Sequence, residues 1–131
     1  MKNTQQRIKA ALLKVLSFNT SFTVGVLTYE EAKEKLKGKE KLTIGNNTWL
    51  IKTNDGFGIK YHNTTVIEIL PNDLYVLKSG GYQTSTTAIR INQLSPLRVY
   101  KVKHKWYYGP RDKKILFEEG MIVDKHGDVV G

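Results

Sequence analysis

Apolar residues recur along the chain with two different periods, and the change from one to the other divides it. From Thr4 to Leu16 the apolar positions Ile8, Ala11, Leu12, Val15 and Leu16 fall at helical spacing, with Gln5, Gln6, Lys9 and Lys14 opposite them. This predicts an amphipathic helix whose apolar stripe needs a partner. A second, short helix is expected after Thr28. There Thr28-Tyr29-Glu30-Glu31 has capping-box spacing, Ala32 and Leu36 share a face, and Gly38 supplies a stop. Lys33, Glu34, Lys35, Lys37 and Lys39 form its solvated side.

From Leu42 onward the pattern shortens to β-rich runs: Leu42 to Ile44, Trp49 to Thr53, Gly58 to His62, Thr65 to Leu70 and Leu74 to Lys78. Gly45-Asn46-Asn47, Asn54-Asp55-Gly56, Pro71-Asn72-Asp73 and Gly80-Gly81 separate them. Gaps this short leave no room for parallel crossovers, so an antiparallel meander is predicted. The run Thr86 to Leu94 fits both helix and strand spacing. A short helix is the expectation, capped by Thr86 or Thr87 and stopped near Pro96. Arg98 to Tyr108 alternates as one strand would, with Tyr100, Val102, His104, Trp106 and Tyr108 on one face and Lys101, Lys103 and Lys105 on the other. Ile115 to Phe117, Met121 to Val123 and a last run at Val129 and Val130 follow.

These elements add up to an α+β domain spanning 1–131. Its helical amino-terminal part covers 1–40, and an antiparallel meander covers 41–131, with a short helix after the Gly80-Gly81-Tyr82 turn. At 131 residues such a domain buries a core without a metal or disulfide. The absence of cysteine excludes disulfides, thiolate metal sites and cysteine nucleophiles. With no apolar run long enough for a signal peptide or membrane span, a cytoplasmic protein is expected.

Charge changes the picture more than composition does. The formal net charge is +9, which favours a phosphate-bearing partner. Between Lys78 and Lys114 nine basic residues face one acid, Asp112, a local excess of +8. That window surrounds the densest polar segment, Ser79 to Asn92. There Thr84, Ser85, Thr86 and Thr87 offer hydroxyls, Arg90 a planar charged fork, Asn92 an amide and Tyr82 a flat ring. This is the set of groups that holds a phosphate, a ribose and a base. In a helix Arg90 and Asn92 project about 200° apart, whereas in a strand they share a face.

Other candidates are thinner. His62 ends a strand among polar groups, in Lys60-Tyr61-His62-Asn63-Thr64, where Asn63 and Thr64 also fit simple turn capping. His62, His104 and His126 have no paired spacing that suggests a metal site. The acids form no catalytic pair, and Gly80-Gly81 matches no phosphate-loop or dinucleotide pattern. Neither an enzyme nor a cofactor is expected. Tyr107, beside the lysines, is the one candidate for an exposed stacking ring.

The segments Ile44-Gly45-Asn46-Asn47-Thr48, His62-Asn63-Thr64-Thr65-Val66, Ser79-Gly80-Gly81-Tyr82-Gln83-Thr84-Ser85-Thr86-Thr87 and Arg90-Ile91-Asn92 together resemble a pattern in small phage and prophage proteins. The chain also resembles the anti-Thoeris sponge proteins, which sequester cyclic ADP-ribose isomers and silence a bacterial immune signal. That resemblance implies a ring at Tyr82 stacking on the signal's base, an amide at Asn92, and cations from flanking strands on the phosphates. It further implies dimers or higher homo-oligomers with ligand at subunit contacts. Lys60 stands where that family carries an arginine, which removes bidentate gripping there. Arg111 is the candidate second cation.

The expected ligand set is therefore Lys60, His62, Tyr82, Thr84, Thr86, Arg90, Asn92 and Arg111, holding a small phosphorylated nucleotide without catalysis. The alternatives are a nucleic-acid-binding phage protein using the basic window, or a protein inhibitor of a host enzyme.

Overall fold

A computed structural model describes residues 25–131. The helix expected over Thr4 to Leu16 lies outside the described residues. Helix α1, Tyr29–Leu36, begins where the capping box predicts. The Glu31 amide donates to the Thr28 hydroxyl and the Thr28 amide donates to the Glu31 carboxylate. Five strands follow as a meander: β1 Lys41–Gly45, β2 Thr48–Lys52, β3 Phe57–Tyr61, β4 Thr64–Leu70 and β5 Leu74–Leu77. Helix α2, Ser85–Leu94, leads to β6 Tyr100–Val102, β7 Lys105–Tyr108, β8 Ile115–Leu116 and β9 Met121–Val123.

The architecture is α+β with antiparallel sheets, as the strand spacing predicts. The described strands form two sheets. One has six strands in the order β1-β2-β3-β4-β5-β9, and the other has three in the order β6-β7-β8. Leu50, Ile59, Ile67, Leu77 and Met121 lie in register across the larger sheet and are buried on its inner face. Full burial of one such aliphatic side chain contributes roughly 1.5–3 kcal/mol. Both helices pack on this face. Helix α1 buries Ala32 and Leu36 and sets Tyr29 against Phe57 at 5.1 Å between ring centres. Beneath it Tyr75 donates to the Leu27 carbonyl at 2.7 Å, and burial, with Asp73 and Glu31 nearby, pushes its hydroxyl up to about 12, so it stays a donor.

Two features differ from the sequence pattern. Arg98 to Tyr108 is a hairpin and not one strand, because Lys103 and His104 take positive φ of 48° and 74° and turn the chain in two residues. A two-residue turn sets positions of opposite parity on one face. Tyr100 therefore pairs with Tyr107, and Lys101 with Trp106. The aromatic and cationic sides expected of a single strand are thus interleaved. Val129 forms only an isolated bridge to Val123.

The second feature is a bulge between β3 and β4. Ile59 faces Ile67, but Lys60 faces Thr65 and Tyr61 faces Thr64, so Val66 is an extra residue. Without it, alternation from Ile67 would turn Thr65 inward. With it, Thr64 takes the inner face beside Tyr61.

A hydroxyl-lined pocket at one end of the meander

Because the meander alternates direction, the β1–β2 turn, the β3–β4 turn and the loop after β5 all meet at one end of the sheet. The His62 amide donates to the Asn47 carbonyl at 2.8 Å, tying the first two tips together. The third is a tight turn in which Gly80 and Gly81 have φ of 66° and 87° and the Tyr82 amide donates to the Ser79 carbonyl at 3.1 Å. A Cβ on Gly80 would stand 2.6 Å from Cγ2 of Thr64, so this position needs glycine for space as well as for backbone.

Ser79 anchors that loop from below. It is buried, its amide donates to the Glu119 carboxylate at 2.8 and 3.1 Å, and its hydroxyl donates to the same group. The Gly81 amide then donates to the Ser79 hydroxyl at 3.2 Å. Glu119 is therefore engaged in holding the loop, and no carboxylate lines the space above it.

Helix α2 closes the other side. Its cap is Thr84, whose hydroxyl accepts from the Thr87 amide at 3.1 Å; this corrects the expectation of Thr86 or Thr87. Thr84 wins because Gln83 and Thr84 are still turning, with the Thr84 amide donating to the Tyr82 carbonyl at 2.9 Å. The hydroxyls of Thr86 and Thr87 lie 3.2 and 2.8 Å from that of Thr84. The helix thus presents a hydroxyl cluster at its positive end.

Between these walls lies a pocket of about 360 Å³, lined by Tyr61, His62, Asn63, Thr64, Ser79, Tyr82, Thr84, Thr86 and Thr87. It falls at the small end of the range for small-molecule sites. Four of the sequence-chosen residues, His62, Tyr82, Thr84 and Thr86, come together here. Tyr82 is 67% exposed at the rim, and His62 packs on Tyr61 at 4.4 Å between ring centres.

The other four stand elsewhere. Lys60 shares the outer face of the sheet with Trp49 and Thr65. Arg90 lies behind the pocket on the inner face. Its Nε donates to the Thr48 hydroxyl at 3.2 Å, Nη2 reaches the Asn46 carbonyl at 3.5 Å, and its guanidinium sits 4.8 Å from the centre of the Tyr61 ring. Burial lowers its pKa, against the favourable pull of Tyr61, but a guanidinium stays charged. Asn92 donates to the Val99 carbonyl at 2.9 Å and accepts from the Val99 amide at 2.7 Å, so both ends of its amide hold the 92–99 connection. Arg111 stacks on Tyr100 in the smaller sheet at 4.1 Å.

Chemically the pocket offers rings, hydroxyls and one amide, with no lysine or arginine among its lining side chains. Tyr61, Asn63, Thr64, Ser79 and Thr87 were not among the expected ligand residues. Their signal was the pairing of His62-Asn63-Thr64 with Ser79-Gly80-Gly81-Tyr82, which only the meander register brings together. Among the described residues no cluster of histidine and acids suits a metal, and no helix is long and apolar enough to cross a membrane.

A family model described as Kyanoviridae Gp96 protein matches residues 27–124, about three quarters of the chain, and the chain belongs to that phage family. No curated protein and no solved structure matches it.

Proposed function

We propose that this phage protein is a non-catalytic binder of a small nucleotide signal, sequestering a cyclic ADP-ribose isomer or a cyclic oligonucleotide and so countering bacterial defence in the host cytoplasm. The observation that carries the reading is the pocket at the sheet end, where three rings and five serine or threonine side chains converge on a space of about 360 Å³. Tyr82 supplies the stacking plane for a base, and His62 and Asn63 flank it. The hydroxyls of Thr64, Thr84 and Thr86 bind the ribose. A phosphate sits at the Thr84–Thr86 wall, where the positive end of α2 favours an anion. Arg90 acts through Tyr61, as a positioning residue behind the ring.

A closed set of donors and acceptors, held by the Ser79–Glu119 and Thr84–Thr87 bonds before any ligand arrives, gives affinity through preorganisation. The protein acts as a homo-oligomer, a dimer or larger, with the exposed Tyr82 rim closed by a second copy.

The test is a thermal-shift screen against cyclic ADP-ribose isomers and cyclic dinucleotides. A ligand held only by the folded protein at a hundred times its Kd adds about 2.7 kcal/mol to stability. The bound molecule should be recovered unchanged by mass spectrometry after heat denaturation, and Tyr82→Ala should remove the shift. A screen without any shift, or recovery of a cleaved product, would refute the reading.

A further inference from the structure

The smaller sheet carries a second surface, none of whose residues lines the pocket. Hairpin pairing puts Tyr100 beside Tyr107, and Tyr107 beside Leu116, on one face. Leu116 is 48% exposed, and Lys105 of the same face is exposed. The connection from β7 to β8 bends over this row. The Tyr100 hydroxyl donates to the Gly109 and Pro110 carbonyls, at 2.9 and 3.3 Å. That bend sets Arg111 on the Tyr100 ring at 4.1 Å and Lys114 on the Tyr107 ring at 5.5 Å.

We infer that this face binds single-stranded nucleic acid, with Tyr107 and the Arg111–Tyr100 stack as platforms for bases and Lys105, Arg111 and Lys114 as contacts to phosphates. Three observations choose this occupant. Six cations stand against one acid between Tyr100 and Leu116, a local excess of +5, which fits a polyanion. Each ring is already bracketed by a cation, and alternating rings and cations match the repeat of base and phosphate along a single strand. A narrow three-stranded sheet with half-buried rings beside exposed cations offers stacking planes that a closed duplex has no unstacked bases to meet. This function is separate from the pocket and does not depend on the nucleotide reading.

The experiment is fluorescence anisotropy with a labelled oligothymidylate about twenty nucleotides long, alone and paired to its complement. Three phosphate contacts predict binding that weakens roughly twentyfold between about 50 and about 200 mM salt. Tyr107→Leu, which keeps an apolar contact and removes the ring, should weaken single-strand binding roughly tenfold and leave duplex binding unchanged. The pair Lys105→Glu and Lys114→Glu lies on exposed side chains, keeps the fold, and should abolish binding even if Tyr107→Leu fails to fold. Tyr82→Ala should bind the oligonucleotide normally. The inference is overturned by any of four results: no binding at low salt, equal affinity for the duplex, unchanged binding in the lysine pair, or displacement by polyglutamate as effective as by unlabelled oligonucleotide. The last of these would mark the face as a docking site for acidic protein.

Discussion

Two surfaces of opposite character adjoin helix α2. At its amino terminus lies a small concave pocket of hydroxyls and rings, with its nearest arginine turned behind Tyr61. The small sheet that follows the helix in the chain bears cations on its rings. Net charge alone merges the two, since the Ser79–Thr87 wall of the pocket and most of the small sheet fall inside the same basic window of the sequence. The structure separates them: the charge belongs to the sheet, and the uncharged donors belong to the pocket. A high local charge in the sequence therefore says little about which side chains line a pocket.

The sharpest way to break this contrast is at the turn that forms the pocket. Gly80→Ala forces a side chain onto a left-handed backbone and into Thr64, and should cost about 3 kcal/mol in urea denaturation. Adding Thr64→Ser removes the methyl group it strikes and should return part of that loss. Tyr82→Ala should weaken nucleotide binding roughly a hundredfold, equivalent to ~2.7 kcal/mol, while its melting temperature stays within about 2 °C of the parent, because the ring is exposed. If stability falls as well, Tyr82 belongs to the frame and not to the site.

Asn92→Ala should do the reverse. It leaves both polar groups of Val99 unpaired and should destabilise by about 2 kcal/mol, read by chemical denaturation, while folded protein keeps its ligand affinity. Thr84→Ala removes a helix cap and should cost about 1 kcal/mol, with a modest loss of binding because the hydroxyl cluster is broken. The smallest effect belongs to the basic sheet. Lys105→Glu with Lys114→Glu should change stability by less than about 0.5 kcal/mol and leave pocket binding untouched in the same titration.

The meander was legible because its turns are spelled out. Asn-rich and glycine-rich pairs sit between runs with the strand period, and the Thr28 capping box marks α1 residue by residue. The candidate pocket was legible in part of its composition, through His62, Tyr82, Thr84 and Thr86, but not in orientation. Arg90 and Asn92 sit two apart on a helix, and the angle between them sends one to Tyr61 and the other to Val99. The β4 bulge that aims Thr64 into the pocket leaves no local signal, since Thr64-Thr65-Val66-Ile67 reads equally well in either phase. The hairpin at Lys103-His104 was hidden for a related reason. Neither residue is a favoured turn former, and the alternation on its two sides joins into one apparent strand.

The bond between Ser79 and Glu119 spans forty positions of sequence. It ties the pocket's floor to the chain just ahead of β9, the last strand added to the larger sheet. Residues 61–87 supply every lining side chain, yet the loop among them takes its anchor from Glu119, where the Gly120 amide donates to the Leu77 carbonyl. A segment that contributes no lining side chain therefore fixes the floor of the pocket, so a change near Glu119 reaches the site without touching anything that faces it.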